Sequence, residues 1–313
     1  MDAVIAFVDM NDLDWQRLYY FYAKNKIDVS RYRDWGTLKY VLRGIQYNMP
    51  FIDKVHLVLM QESQIPLWLN VNADNLHIVY HKDFVPAKYL PTFNCNTLEL
   101  HLHKIPDLTE QFIYFNDDMV PIHPSVSTDY FIDDKVVMDF IKTPYQSWYA
   151  KASSGFYNIC VSGENFARQL VGKNPIPYND YTYRPVHTIS PMLKTMNSYV
   201  YSQLSKDQIK KTCSIIRNRD NFNQYLYIDY LYHIGKLIIK DIKFKYISSY
   251  NRFLENAPDI TPEKFKLMFE GLEDIQTICI NDYYFPPKEI NKYIKIANDF
   301  LESVLPLKSK YEV

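Results

Sequence analysis

Two adjacent aspartates follow an apolar run of the kind that forms a buried strand. The run 112–115 is apolar, and Asn116, Asp117 and Asp118 come directly after it. Two carboxylates that leave a buried strand side by side repel each other unless a cation lies between them. Mg²⁺ and Mn²⁺ prefer oxygen ligands and are usually held by one or two carboxylates together with substrate phosphates. The motif therefore indicates a divalent-metal site for a phosphate-containing ligand, and the alternative is a turn capped by one aspartate.

Asp9 occupies a similar position after the first predicted strand, 3–8. A carboxylate at the end of such a strand can face a bound nucleotide or its ribose. The alternative is that Asp9 caps the helix that follows, a role that Asp12 could equally fill.

Several other polar residues could contact an anionic or hydroxyl-rich ligand. Arg31, Arg33 and Arg43 bracket the second predicted helix, and a guanidinium group can clamp phosphate or uracil. Asn94 and Asn96 precede another predicted helix, where side-chain amides and backbone N–H groups can bind such a ligand. The alternatives are surface arginines without a ligand and a helix cap formed by Asn96.

Composition excludes some functional classes. The chain has 35 Lys and Arg against 36 Asp and Glu, scattered along its length, so it lacks the basic footprint of nucleic-acid-binding proteins. An acidic residue follows Met1, and no apolar run approaches the ~20 residues that span a bilayer, so we expect a cytoplasmic protein. The cysteines are far apart and form no CxxC pair, so we expect free thiols that mostly pack in the core.

The order of apolar runs and amphipathic stretches predicts a largely parallel sheet in residues 1–120. The predicted strands are 3–8, 54–60, 76–80 and 111–115, and the predicted helices are 13–24, one capped by Asp34 that ends before Pro50, and 96–104. Because chemistry gathers at the carboxyl edge of a parallel sheet, that edge should collect Asp9, Asp83 and the 116–118 motif.

The remainder of the chain gives a weaker pattern. Frequent Pro, Tyr, Ser and Asn in 120–205 predict loops, short strands and a substrate-facing insertion. Helical patterns return at 225–240, 261–270 and 288–304, and the tail after Pro306 is expected to be a surface extension.

Taken together, these segments resemble the Stealth family. The family's long second region is similar to 31–34, 38–43, 66–70, 79–83, 90–96 and 112–118. Its short first region resembles Val8-Asp9, with Met10 in place of the usual glycine, and its third resembles 185–191. Its fourth resembles 279–282, 300–302 and 306–309.

This resemblance implies a GT-A-like α/β fold, in which helices flank a largely parallel sheet. It also implies transfer of hexose-1-phosphate, typically from a UDP-sugar, to a saccharide hydroxyl in capsular or cell-surface polysaccharide synthesis. Residues 1–120 would form the nucleotide-sugar-binding core, 121–205 an insertion with acceptor-facing loops, and 206–313 a helical part that completes the site. Peripheral association with a capsule assembly complex at the membrane is a further expectation.

The resemblance also suggests roles for individual residues. His187 and Arg217 stand at the separation of a histidine and an arginine in the active site of relatives. Asp118, supported by Asp117 or Asp282, would hold Mg²⁺ or Mn²⁺, and Arg217 would bind the phosphates. The acceptor proton would go to His187 or to a nearby carboxylate such as Asp9. The predicted substrate-binding residues are Arg43, Asn94, Asn96, Asn116 and Asn281.

Two other functions are compatible with the same residues. An ordinary metal-dependent glycosyltransferase would use the same carboxylates but break the bond at the anomeric carbon, and it would release UDP instead of UMP. A protein without catalytic activity could bind nucleotide sugars within a capsule assembly complex.

Overall fold

The computed structural model describes residues 1–24, 26–146, 155–248, 260–282, 285–286 and 288–313. Its strands are β1 Asp2–Ala6, β2 Lys54–Leu59, β3 Leu76–Tyr80, β4 Gln111–Asn116, β5 Met119–Pro121, β6 Phe131–Ile132, β7 Lys135–Met138, β8 Phe140–Pro144, β9 Tyr181–Pro185, β10 Ser190–Leu193, β11 Leu237–Ile239, β12 Phe244–Ile247 and β13 Thr277–Ile280. Its helices include α1 Leu13–Tyr22, α2 Val29–Tyr32, α3 Leu38–Asn48, α4 His81–Phe84, α5 Cys95–His101, α6 Gly155–Leu170, α7 Lys194–Gln203, α8 Lys206–Thr212, α9 Tyr225–His233, α10 Pro262–Leu267 and α11 Ile290–Val304.

A five-stranded sheet forms the centre of the molecule, in the order β10-β4-β1-β2-β3. The strands β1 to β4 run parallel, and β10 is antiparallel to β4. Successive side chains of a strand point to opposite faces, so each strand contributes to two cores. Ile5 packs in the same core as Leu301 of α11, whereas Val4 packs in the same core as Leu98 of α5. The predicted α/β class, with helices flanking a largely parallel sheet, is confirmed.

The turn after β4 joins the central sheet to a smaller one. β5 begins at Met119 and pairs antiparallel with β13, with Met119 opposite Cys279, and β13 also pairs parallel with β12. Asp117 and Asp118 therefore lie in a short link between two sheets, and both ends of that link are fixed by backbone hydrogen bonds.

The prediction for 120–205 was wrong in one respect, because this part of the chain also contains helices. α6 spans Gly155–Leu170 and α7 spans Lys194–Gln203. α6 contains two glycines, and it packs closely against α9, with Gly163 beside Leu226. Residues 147–154 of the predicted insertion lie outside the described residues.

Three local predictions need correction. The helix expected over 225–240 ends at His233, because Gly235 takes a positive φ of 73° and the chain continues into β11. The N-cap of α3 is Thr37 rather than Asp34. The tail after Pro306 is packed: Tyr311 is buried, and its carbonyl oxygen accepts a hydrogen bond from Asn70 N–H.

Candidate active site

The carboxyl ends of β1 and β4 bring the first two predicted acidic segments to the same edge of the sheet. Ala6 pairs with Asn116, the last residues of two adjacent parallel strands. Asp9 follows β1, and Asp117 and Asp118 form the turn after β4. The backbone N–H of Asp9 donates to Gln64 Oε1, while its side chain accepts hydrogen bonds from Asn11.

Asp118 is held by the strand that pairs with β5. Cys279 S–H donates to Asp118 Oδ2 over 3.6 Å, and the Asn281 side chain also bonds to this carboxylate. Asp118 Oδ1 is buried and has no hydrogen-bond partner among the described residues. Burial raises the pKa of Asp118 to about 6. This carboxylate therefore has one oxygen held in place and one oxygen available for a ligand.

The pKa of Asp117 is perturbed more strongly than the pKa of Asp118. Burial raises its pKa well above the ordinary range, and the nearby charges of Asp118 and Asp34 raise it further. Asp34 accepts a hydrogen bond from Gly36 N–H, and its own pKa is raised by burial and by Asp9. The structure thus groups Asp9, Asp34, Asp117 and Asp118 closely enough for their charges to interact.

His187 lies beside Asp118, in the bend between β9 and β10. Asp118, His187 and Cys279 each offer one donor atom, and these atoms lie within 4.8 Å of one another. His187 Nδ1 is 3.0 Å from the hydroxyl oxygen of Tyr225, and its ring packs edge-on against Tyr246. The structure therefore brings together His187 and Asp118, which are distant in sequence.

Arg217 lies in the segment before α9, and its charge acts on Tyr114, a residue of β4. Arg217 Nη2 donates to Cys95 Sγ over 2.7 Å. Burial raises the pKa of the Tyr114 hydroxyl first, and the charges of Glu99, Cys95 and Asp117 raise it further, while Arg217 lowers it. Arg217 and Asp117 thus both act on the hydroxyl of Tyr114, a buried residue of β4.

Asp282, a predicted metal ligand, has other partners in the structure. Its Oδ2 lies 3.0 Å from Arg33 Nη1 and accepts a hydrogen bond from Trp35 Nε1. Its neighbour Asn281 is the residue that reaches Asp118. Asn116, at the end of β4, is partly exposed beside the aspartates.

Three predicted substrate-binding residues have protein partners in the structure. Arg43 is buried and pairs with Glu312 and Glu302. Asn94 caps α5 and donates to the carbonyl oxygen of Thr212. Asn96 is fully buried. The side chains of these residues are occupied by protein groups, so we do not include them in the site proposed below.

Sequence reasoning missed Asp34, Cys279 and Tyr225 as residues of this site. Asp34 lies in the 31–34 segment of the resemblance but was interpreted as a helix cap, and Cys279 was interpreted as a packing thiol. Tyr225 is reached only through the fold, because its contact with His187 joins residues 38 apart in sequence.

The donor atoms fit a hard divalent cation. Asp118 has a buried oxygen without a hydrogen-bond partner among the described residues, and the neighbouring carboxylates repel one another. A cation would bind this oxygen and offset the repulsion. Burial and the adjacent Asp118 raise the pKa of the Cys279 thiol well above its ordinary range, and its S–H donates to Asp118.

None of the helices in the described ranges combines the length and the apolar character that crossing a bilayer requires.

Comparison with known proteins gives consistent matches. Residues 31–139 match the profile described as Stealth protein CR2, conserved region 2. The chain is 28% identical over 353 residues to the receptor polysaccharide phosphotransferase WefC of Streptococcus oralis, covering 100% of this chain and 99% of that protein. It is 32% identical over 191 residues to the capsular polysaccharide phosphotransferase eps5J of Streptococcus thermophilus, covering 58% of this chain and 79% of that protein.

Among solved structures, the chain is similar to the galactosyltransferase LgtC, crystallised with donor and acceptor sugar analogues. The TM-score is 0.48 at 12% identity, over 99% of this chain and 97% of that chain.

Proposed function

Since this chain belongs to the Stealth protein family, we propose that it transfers hexose-1-phosphate from a nucleotide sugar to a saccharide hydroxyl in capsular or exopolysaccharide synthesis. The relatives that match it along their whole length are named polysaccharide phosphotransferases. The observation that carries the proposal is the group formed by Asp117, Asp118 and His187 at the carboxyl edge of the sheet. Such a group suits a substrate that contains a pyrophosphate.

In this reaction the acceptor hydroxyl attacks the β-phosphorus of a donor such as a UDP-sugar. A new bond forms between the acceptor oxygen and this phosphorus, the pyrophosphate bond breaks, and UMP leaves. The acceptor proton passes to a base, and the anomeric bond of the transferred sugar stays intact. Positioning and charge neutralisation supply most of the acceleration in phosphoryl transfer.

We assign Asp118 and Asp117 to the cation, with Asp34 in support in place of Asp282. Mg²⁺ or Mn²⁺ held there would offset the negative charge of the donor pyrophosphate. Cys279 and Asn281 hold Asp118 by hydrogen bonds, so its carboxylate keeps one orientation. Asp9 and Asn116 line the same edge and face the donor or the acceptor in this proposal.

His187 and Arg217 take the remaining roles. His187 either accepts the acceptor proton or donates a hydrogen bond to a phosphate oxygen, and Asp9 is the alternative base. Arg217 stabilises the negative charge of the phosphates. To do so, its guanidinium group would leave Cys95 and turn toward the donor.

We retain the division into a core of 1–120, an insertion of 121–205 and a part of 206–313 as a proposal. A cytoplasmic location, with peripheral contact to a capsule assembly complex, is proposed as well. Fractionation of cells that express the tagged protein would test the location.

The proposed activity is tested by product analysis. Purified protein is incubated with a panel of UDP-sugars, saccharide acceptors and MgCl₂, and the released nucleotide is separated by chromatography. We expect UMP together with a phosphodiester signal in phosphorus NMR. Release of UDP with a glycosidic product would establish the glycosyltransferase alternative. Saturable binding of UDP-sugars, with neither nucleotide released, would support the non-catalytic alternative.

A further inference from the structure

His187 is held by a buried tyrosine of a neighbouring helix. Tyr225 is the first residue of α9, and its hydroxyl oxygen lies 3.0 Å from His187 Nδ1. The Tyr225 side chain is only 2% exposed, so water does not compete for this hydrogen bond. The bond fixes the imidazole from the side of the ring that carries Nδ1.

Tyr225 itself is firmly placed. Its ring packs with Cys160 of α6, and its backbone N–H donates to Asn223 Oδ1 over 3.2 Å. Burial raises the pKa of the Tyr225 hydroxyl, so the group keeps its proton and can both donate and accept. A rigid, neutral hydroxyl is well suited to set the orientation of a histidine ring.

Among the described residues, His187 also has neighbours that belong to the proposed reaction site. One of its ring nitrogens lies within 4.8 Å of an Asp118 oxygen and the Cys279 sulfur. The Tyr246 ring packs against the imidazole at a centroid distance of 6.0 Å. The hydrogen bond with Tyr225 therefore holds the imidazole in its place beside Asp118.

We propose that Tyr225 is a positioning residue for the phosphotransfer reaction, which holds His187 through Nδ1 so that the imidazole keeps its place beside Asp118. The inference rests on the proposed function, because it assigns the supporting contact of a residue placed in that site. It adds a consequence: the direction of this hydrogen bond sets the tautomer of His187. If Nδ1–H donates to Tyr225, Nε2 is a base, and if Tyr225 O–H donates to Nδ1, Nε2–H is a donor.

The kinetic test uses Tyr225→Phe, which removes only the hydroxyl group. We expect kcat to fall on the order of 10- to 100-fold, as for other groups that orient a catalytic side chain, with the KM for the donor unchanged. His187→Ala should lower kcat at least as far, and adding Tyr225→Phe to it should cause no further fall, since the two residues act as one unit.

Tyr227→Phe is the matched control. Tyr227 lies on the same helix, is equally buried, and donates its hydroxyl proton to the carbonyl oxygen of Leu100 over 2.9 Å. We expect it to lower the melting temperature about as much as Tyr225→Phe while leaving kcat within about twofold. Equal losses of kcat in the two variants, or multiplicative losses in the double variant, would overturn the positioning role.

A second measurement does not depend on activity. Nitrogen-15 NMR of labelled protein reports which ring nitrogen of His187 carries the proton. We expect one tautomer in the wild type and a shifted or mixed population in Tyr225→Phe, with Tyr227→Phe like the wild type. Unchanged His187 signals in Tyr225→Phe would overturn the inference. A changed tautomer in a protein that transfers no sugar phosphate would instead overturn the proposed function alone.

Discussion

Among the individual residues, Asp117 and Asp118 both differ from ordinary carboxylates. Burial raises the pKa of both, and the charges of Asp118 and Asp34 add to the effect on Asp117. A folded-state pKa above the unfolded value means that the ionised form destabilises the fold as pH rises through the folded pKa. A site that keeps these carboxylates in spite of the loss of stability is consistent with a site that binds a cation and substrate phosphates during the reaction.

Asp118→Asn tests the assignment of the metal ligand. The amide keeps the shape of the carboxylate and loses its charge, so we expect turnover to fall by about 10³-fold or more. The melting temperature at pH 8 should stay the same or rise, because a buried charge is removed. The control is Asp83→Asn, which changes an aspartate of α4 whose side chain accepts a hydrogen bond from the N–H of Tyr80, the last residue of β3. Near-normal turnover of Asp118→Asn in saturating Mg²⁺ would refute the assignment.

Metal removal tests the same site without a mutation. We expect EDTA to stop turnover and Mg²⁺ or Mn²⁺ to restore it. Because a ligand of the folded state stabilises that state, added Mg²⁺ should also raise the melting temperature of the wild type, and this rise should be absent in Asp118→Asn. Calorimetry and turnover assays would measure both effects, and full activity of metal-stripped protein would contradict the metal role.

Among the elements, the close approach of α3 to β5 fixes the turn that carries the aspartates. Gly44 of α3 faces Pro121, and a Cβ built at this glycine would overlap the Pro121 carbonyl oxygen and lie 2.8 Å from its Cδ. Asn48, one turn further along α3, donates to the same carbonyl oxygen over 3.0 Å. The glycine therefore permits the contact that positions β5 directly after Asp118.

Gly44→Ala should separate α3 from β5. We expect a loss of stability on the order of 1–3 kcal/mol from overpacking, with reduced turnover because the turn at Asp118 shifts. Gly163→Ala is the control, since a Cβ there would meet Leu226 at an ordinary 3.6 Å. Chemical unfolding and turnover assays of both variants would measure this, and a fully stable and active Gly44→Ala protein would show that the close approach is dispensable.

The elements also show what the sequence could predict. β1 to β4 alternate between two apolar cores, so local patterns predict them to within one or two residues. α6 was missed because its buried face includes Gly163 and Glu164, which do not read as apolar. The end of α9, shortly before Gly235, did have a signal in the sequence, which is the glycine itself. The apolar pattern over 225–240 outweighed this signal.

The site was predictable to the same extent. Asp9, Asp117 and Asp118 follow predictable strands, so their common edge could be inferred from the sequence. Tyr225 and Cys279 reach the site through contacts with residues far away in the chain, which no local pattern encodes.

In the molecule as a whole, the last residues of the chain are held by side-chain contacts with its first half. Arg43 of α3 donates through Nε and Nη2 to Glu312, each over 2.8 Å. Glu312 also accepts from Ser309 N–H over 2.8 Å. Arg43 and Glu312 are both largely buried, so the pair depends on this bidentate geometry. This arrangement explains why the packed tail escaped prediction, because Arg43 and Glu312 are 269 residues apart in sequence.

Glu312→Gln tests the structural role of Arg43. Leaving a buried guanidinium without its charged partner should cost about 3 kcal/mol of unfolding free energy, with turnover per folded molecule unchanged. Glu302→Gln, at a half-exposed partner of the same arginine, should cost less, on the order of 1 kcal/mol or below. Reduced donor affinity in either variant would return Arg43 to the substrate site.

The difference in stability between the wild type and Glu312→Gln should change with pH in a definite direction. Burial opposes ionisation of Glu312, but the hydrogen bonds and charge of Arg43, together with Ser309, lower its pKa overall. Its stabilising contribution is therefore present above the unfolded pKa of about 4.3 and is lost as pH falls through the folded value. The difference in unfolding free energy between wild type and Glu312→Gln should shrink below about pH 4. A difference that stays constant down to pH 2 would contradict the ion pair.

The proposed reaction transfers the sugar together with its phosphate, and an isotope placed in the donor shows directly whether this happens. UDP-sugar labelled with ³²P at the β-phosphorus is incubated with the protein, Mg²⁺ and acceptor, and the saccharide product is separated from nucleotides. We expect the label to move to the saccharide in proportion to the UMP released, and we expect Asp118→Asn to transfer none. Label that remains in UDP while the sugar is transferred would contradict the proposed reaction.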